Sequence, residues 1–267
     1  MFSWDNPEDR VTIVQMNSEL RNAHLELLSA HCATHQLRLH YAMEDLVRFG
    51  QRDVLQKSVQ AASALNDYYE LLERKIAGLP AADPDAVPVR LTEELLVEGV
   101  ECLVAYLREQ RQRHLPSAET IAEHHKVRLR PYFGSDLLEK VRVAERRGAR
   151  LSPPQFYARA KALGIENLPE ISHMDSLTFL DVVVFNEVAT LRALFHALVH
   201  VVQFEVLGVD RYAELFVRSF ANTQLHVTVP LESHAFQLEA RFARRPPEMF
   251  WVADEVLGWV EKGKYEM

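Results

Sequence analysis

Apolar residues recur at helical spacing along the first part of the chain: Leu20, Leu27 and Leu28, then Leu46, Val47, Leu55, Val59, Leu65 and Tyr69, with no proline from about Thr12 to Leu79. This spacing predicts one or two long helices, a hairpin broken near Gly50, whose apolar stripe needs a partner surface to be stable. The stretch "GLPAADPDAVP", residues 78–88, is dense in proline and small residues and ends the periodicity. It restarts in "RLTEELLVEGVECLVAYLREQRQRH", with Thr92 as N-cap, and runs to about His114.

Beyond His114 the texture changes. "VRLRPYF" and "KVRVAE" alternate as short strands do, "LSPPQF" reads as a loop, and "LTFLDVVVFN", residues 177–186, reads as a strand rich in β-branched residues and Phe. The apolar "EVATLRALFHALVHVVQFEVLG" follows as a helix stopped by Gly208, and "VPLESHAFQLEARFARR" as a helix whose start is marked by Pro230. The pattern gives an α+β fold, mainly helical: an N-terminal helical region, residues 1–114, and a domain over 115–267 with a small sheet. No internal repeat or low-complexity tract stands out.

Composition narrows the class. The chain has 267 residues, 48% hydrophobic and 25% charged, enough for a sizeable core. No run of about 18 apolar residues occurs to span a membrane, and "MFSWDNPEDR" lacks the basic-then-apolar pattern of an export signal. Cys32 and Cys102 are too few for a disulfide framework and read as thiols of a reducing, cytoplasmic compartment. A net charge of −8 argues against a nucleic-acid partner; the basic excess between Arg111 and Arg150 reads as a solvated face.

Two histidine pairs at i, i+4 spacing are the candidate chemistry. At about 100° per residue, His196 and His200 lie about 40° apart on a helix, so both imidazoles can converge on one ion. The spacing alone is weak evidence in a chain with twelve histidines: His31 and His35 share it, near His24 and His40, and read as polar positions on a helix. What favours the later pair is order. A strand, a helix with two histidines and a further helix with an acid is how thermolysin-type peptidases place three protein ligands around zinc with one open position. Glu232 opens the last helix, and Glu239 competes with it one heptad later.

Residues from about His125 to Trp259, half the chain, resemble a family of HExxH-containing zinc metallopeptidases of the gluzincin type. The stretches that carry the likeness are "HALVHVVQFEVLG", "RYAELFVRSF" and "PLESHAFQLEARF". The resemblance implies a zincin-like domain, Zn²⁺ held by His196, His200 and Glu232, and a protein or peptide substrate. The N-terminal helices lie outside it and would restrict access to the site or recruit a target or regulatory partner.

The chain departs from that pattern at Ala197, where the family carries the glutamate that moves protons between the attacking water and the leaving amine. A methyl group leaves the ligands untouched but cannot do this, so the sequence as written implies metal binding without peptide hydrolysis. Neither Glu205 nor Glu187 replaces it, each nine residues from His196 and on the far side of the helix. Three readings of Ala197 stand open: a substituted active-site glutamate, a natural pseudoenzyme, or a helical interaction module in which the histidines are core residues. His226, then Tyr212 and Arg218, are candidates to stabilise an oxyanion opposite the metal, and Gln203 to orient a ligand. The apolar "VVVFN" is either an edge that pairs with an extended substrate or a buried strand.

Overall fold

The computed structural model describes scattered residues between 32 and 63, and then 91–267 except 164, 166–167, 224–225, 227–228, 244–248 and 267. The chain divides into two compact units, 1–90 and 91–267. In the first, the described residues are helical from 39 to 48, and Gly50 is non-helical with φ of +79°. Most of the predicted hairpin, with His24, His31 and His35, lies outside the described residues.

The second unit begins with α1 (Glu93–His114), capped by Thr92, whose hydroxyl accepts from the Leu95 amide at 3.4 Å. The sequence pattern places this helix in the region 1–114; it packs within the second unit, against α6 (Val209–Thr223) and the sheet. Gly99 permits the close approach, since a Cβ there would meet a Val217 methyl at 3.2 Å.

Four short strands form a mixed sheet: β1 (Glu119–Thr120), β2 (Arg142–Glu145), β3 (Ser176–Phe179) and β4 (Val182–Phe185), in the order β1-β2-β4-β3. β2 and β4 are parallel, and the outer pairs are antiparallel. The predicted single strand over 177–186 is a hairpin, because Leu180 takes φ of +60° at the first position of a two-residue turn. Arg111 of α1 grips that turn with a bidentate pair to Asp181, its Nη2 donating to Oδ2 at 2.9 Å. β4 is buried along its length, so "VVVF" is the interior strand and β3 the edge.

The predicted strand "VRLRPYF" is not a strand: residues 127–129 are the last turn of a helix, α2 (Glu123–Leu129), and 130–133 form a turn. The amides of Lys126, Arg130 and Phe133 each bond the carbonyl four residues back, and Leu129, Tyr132 and Phe133 enter the core while Val127 faces out. Residues 129, 132 and 133 bury one helical face, which outweighs the local β-branched character. Two further short helices, α3 (Ser135–Lys140) and α4 (Tyr157–Ala162), flank β2 in sequence. The basic excess here is largely solvent-facing, with Arg113, Arg128, Arg130, Lys140 and Arg147 exposed, but several of its members are tied into the fold. Lys126 is buried against Glu139 at 2.6 Å, Lys140 pairs with Glu205 at 2.8 Å, and Arg150 donates to the Ser172 carbonyl.

At the centre lies α5 (Leu191–Leu207), packed on β3, α7 (Pro230–Phe242) and α8 (Val252–Glu261). Thr190 caps its start by accepting from the Ala193 amide at 3.2 Å, and Gly208, at φ of +74°, ends it. From Leu194 to Phe204 every residue except His196 is buried, so α5 is apolar nearly all round as a core helix must be. Phe195 stacks on Phe242 at 4.3 Å between centroids, with Tyr132 edge-on to both. Burial of Phe195 and Tyr132 contributes about 1.5–3 kcal/mol each. This packing fixes the axial position and rotation of the helix that carries the histidine pair.

Candidate metal centre

His196 and His200 leave α5 one turn apart, and Glu232 meets them from the first turn of α7. Pro230 sets that start, and a carboxylate in a first turn is favoured by the helix dipole. The three side chains bring their ligand atoms together. Nε2 of His196 and Nε2 of His200 lie 3.1 Å apart, and Glu232 Oε2 lies 3.6 Å from the first and 3.4 Å from the second. All three are at least mostly buried, with His196 retaining 15% side-chain exposure.

The rings are held from behind. Nδ1 of His196 lies 3.0 Å from Oε2 of Glu239, which is buried and gripped on its other oxygen by Arg192. A carboxylate only accepts, so this Nδ1 carries the hydrogen. Nδ1 of His200 lies 2.8 Å from Gln203 Oε1 and 3.3 Å from the Tyr212 hydroxyl. Gln203 donates its amide N–H to the Leu231 carbonyl at 3.0 Å, which places its oxygen toward His200. Both imidazoles are thereby turned to aim Nε2 at Glu232.

The donor set fits a divalent ion. A tetrahedral ion with bonds of roughly 2.0–2.1 Å to nitrogen and oxygen requires ligand atoms roughly 3.3–3.4 Å apart, the spacing found here. His196, His200 and Glu232 could hold a metal ion. Without one, a proton serves the same electrostatic purpose. Burial disfavours charge on His196, but hydrogen bonds and charges from Glu232 and Glu239 prevail and raise its pKa to about 9. Glu232, although its burial favours the neutral acid, is held well below the usual carboxylate range by His226, His200 and His196.

The other candidates fall around this cluster. Glu239, the competitor for third ligand, lies seven residues beyond Glu232 and about 10.5 Å further along α7, so it reaches the back of His196 instead of the convergence point. His226 touches the site directly, its Nε2 3.1 Å from Glu232 Oε1. Tyr212 is buried behind His200, and burial together with the Glu232 charge raises its pKa. Arg218 is not at the cluster: its guanidinium is taken up by Glu93 at 3.0 Å and Glu214 at 3.1 Å, joining α1 to α6. Ala197 is fully buried, and its carbonyl accepts from the Thr178 hydroxyl of β3 at 3.3 Å.

Two residues escaped the sequence reading. His234 stacks on Trp259, 3.8 Å between centroids and nearly coplanar, and its Nδ1 is hydrogen-bonded to the Tyr265 hydroxyl at 2.6 Å. Burial lowers its pKa to about 3, so the ring is neutral. Tyr265 also receives a hydrogen bond from Gln203 at 3.4 Å. Only the apolar positions Val256, Leu257, Trp259 and Val260 in "EVLGWVEKGKY" hinted that this segment packs, and nothing in it named the partner.

No protein-family model, curated protein or solved structure matches the chain. Among the described residues no single helix is long and apolar enough to cross a membrane.

Proposed function

We propose that the second unit is a zinc-binding, zincin-like metallopeptidase domain that lacks its general base at Ala197, and so binds zinc through His196, His200 and Glu232 without hydrolysing peptides. One observation carries the reading: three electron-pair donors converge at 3.1–3.6 Å while both ring Nδ1 atoms are engaged by acceptors on the far side. Aligning three such donors calls for a positive charge between them, which a bound divalent ion would supply.

The surroundings support the same reading. β3 is an edge strand antiparallel to its neighbour and packs on α5 beside the histidines, where an extended peptide can add to the sheet. Zinc bound here would supply a Lewis acid that polarises a carbonyl and acidifies water. His226, half-buried at the Glu232 carboxylate, is the chain's own N–H donor on that side of the site. No carboxylate stands at 197 to accept a proton from attacking water, and Glu205 is committed to Lys140 away from the cluster.

The metal-free alternative has its own support: His196, raised to about 9, forms ion pairs with both Glu232 and Glu239. Zinc titration against a chromogenic chelator separates the two. One equivalent bound per chain, lost in His196→Ala, supports the metal site; no binding by the folded wild-type chain leaves the ion-paired core.

A further inference from the structure

The polar network behind His200 extends beyond the residues that touch it. Gln203, one turn after His200 on α5, is buried without accessible surface. Its nitrogen faces the Leu231 carbonyl, which can only accept, at 3.0 Å and the Tyr265 hydroxyl at 3.4 Å. Both hydrogens of the amide are therefore used, and its oxygen must point at His200 Nδ1. The amide cannot be reversed without setting an oxygen against the Leu231 carbonyl. This chain of donors specifies which nitrogen of His200 carries the proton.

The same network joins the two ligand-bearing helices. Leu231 and His234 flank Glu232 on α7, while Gln203 and His200 belong to α5. Tyr265 enters from the segment after α8. That segment is pinned by Glu266 to Arg211 at 2.6 Å, by Lys264 over the Trp259 ring, and by the turn at Gly263 with φ of +62°. Arg211 adjoins Tyr212, which contacts His200 from α6.

We infer that Gln203 and Tyr265 are positioning residues of the metal centre: together they hold His200 with its Nδ1 proton turned inward and its Nε2 toward the ion, and they set the spacing between His200 and Glu232. The inference rests on the metal reading of the His196, His200 and Glu232 cluster. Neither residue touches the ion. Their effect is on the tautomer and orientation of a ligand, of the kind that commonly changes metal affinity 10- to 100-fold.

The test uses the full chain with cobalt(II) as probe. Cobalt affinity is measured by competition, and the exchangeable ring N–H protons of the ligated histidines are followed by paramagnetic NMR. Wild type is expected to bind one cobalt and show two slowly exchanging ring N–H signals. Gln203→Met, which keeps length and loses the donors, should weaken binding roughly 10- to 100-fold and lose or accelerate the exchange of one signal, that of His200. Tyr265→Phe keeps the ring packed near Trp259 and His234, and should act in the same direction with a smaller loss. Since either variant must fold to be informative, thermal unfolding is recorded for both, and each serves as the fallback for the other. Wild-type affinity with both signals intact in either folded variant overturns the positioning role. No cobalt bound by wild type overturns the metal reading and this inference with it, whereas normal wild-type binding with insensitive variants overturns the inference alone.

Discussion

Glu239 Oε2 lies 3.0 Å from Nδ1 of His196, on the opposite side of the ring from the Nε2 that faces His200 and Glu232. The two glutamates of α7 thus have different places. Glu232 stands among the ligand atoms, and Glu239 supports a ligand from behind, itself steadied by Arg192.

Substitutions should separate them. Glu232→Ala removes one of three donors and is expected to abolish zinc binding at micromolar metal. Glu239→Gln keeps a hydrogen-bond acceptor at His196 and should weaken binding by about tenfold, with Glu239→Ala nearer 100-fold. Competitive chelator titration reads both; equal losses from Glu232→Ala and Glu239→Gln would reverse the assignment.

The pH dependence has a definite sign. In the metal-free chain the pKa of His196 is raised above its ordinary 6.5 to about 9. Its protonation therefore stabilises the metal-free fold fully below about pH 6.5, and this contribution, at most about 3 kcal/mol, is lost as pH rises through 9. Metal requires the neutral ring, so zinc binding at pH 7 should release about one proton from His196, and affinity should rise about tenfold per pH unit up to 9. Calorimetry in buffers of different ionisation enthalpy counts the proton. No release at pH 7 would contradict the combination of a raised pKa and metal ligation at His196.

Arg111 binds the β3–β4 turn, where Leu180 holds a positive φ. Burial opposes ionisation of Asp181, but the Arg111 hydrogen bonds prevail and keep its pKa below the ordinary carboxylate value. Arg111→Ala should destabilise the chain by about 1–3 kcal/mol in urea unfolding at neutral pH. The contribution is present above the unfolded carboxylate pKa and lost as pH falls through the depressed folded value, so the difference from wild type should shrink in acid.

How much of this was legible in the sequence differs from residue to residue. Thr92, Gly208 and Pro230 marked helix ends because capping chemistry is local. The 40° separation of His196 and His200 followed from helix geometry alone. The α2 helix was missed because Val127 and Arg128 look strand-like until burial of Leu129, Tyr132 and Phe133 decides the period. The hairpin was missed because its turn uses Leu180 where glycine or asparagine is the usual sign. Arg218 was misplaced because its partner Glu93 is 125 residues away. Tyr265 and His234 were invisible for the same reason: hydrogen bonds between distant segments leave no spacing to read.

Ala197 is where the functional proposal can be reversed. Restoring a carboxylate by Ala197→Glu should keep the metal ligands and produce chelator-sensitive cleavage of protein substrates, with His196→Ala abolishing it again. The position is fully buried, so the carboxylate must reach the metal centre or incur a desolvation cost of several kcal/mol. A folded, zinc-bound Ala197→Glu chain that cleaves nothing, including partners copurified with the Ala197 form, would favour a binding role for the domain.

The most direct test of the metal centre is X-ray absorption spectroscopy at the zinc edge on the full chain loaded with one equivalent of zinc. The account predicts a first shell of nitrogen and oxygen at roughly 2.0–2.1 Å with outer-shell scattering from two imidazoles, and loss of imidazole scattering or of the metal itself in His200→Ala. A spectrum without imidazole scattering, or a wild-type chain that retains no zinc, would contradict it.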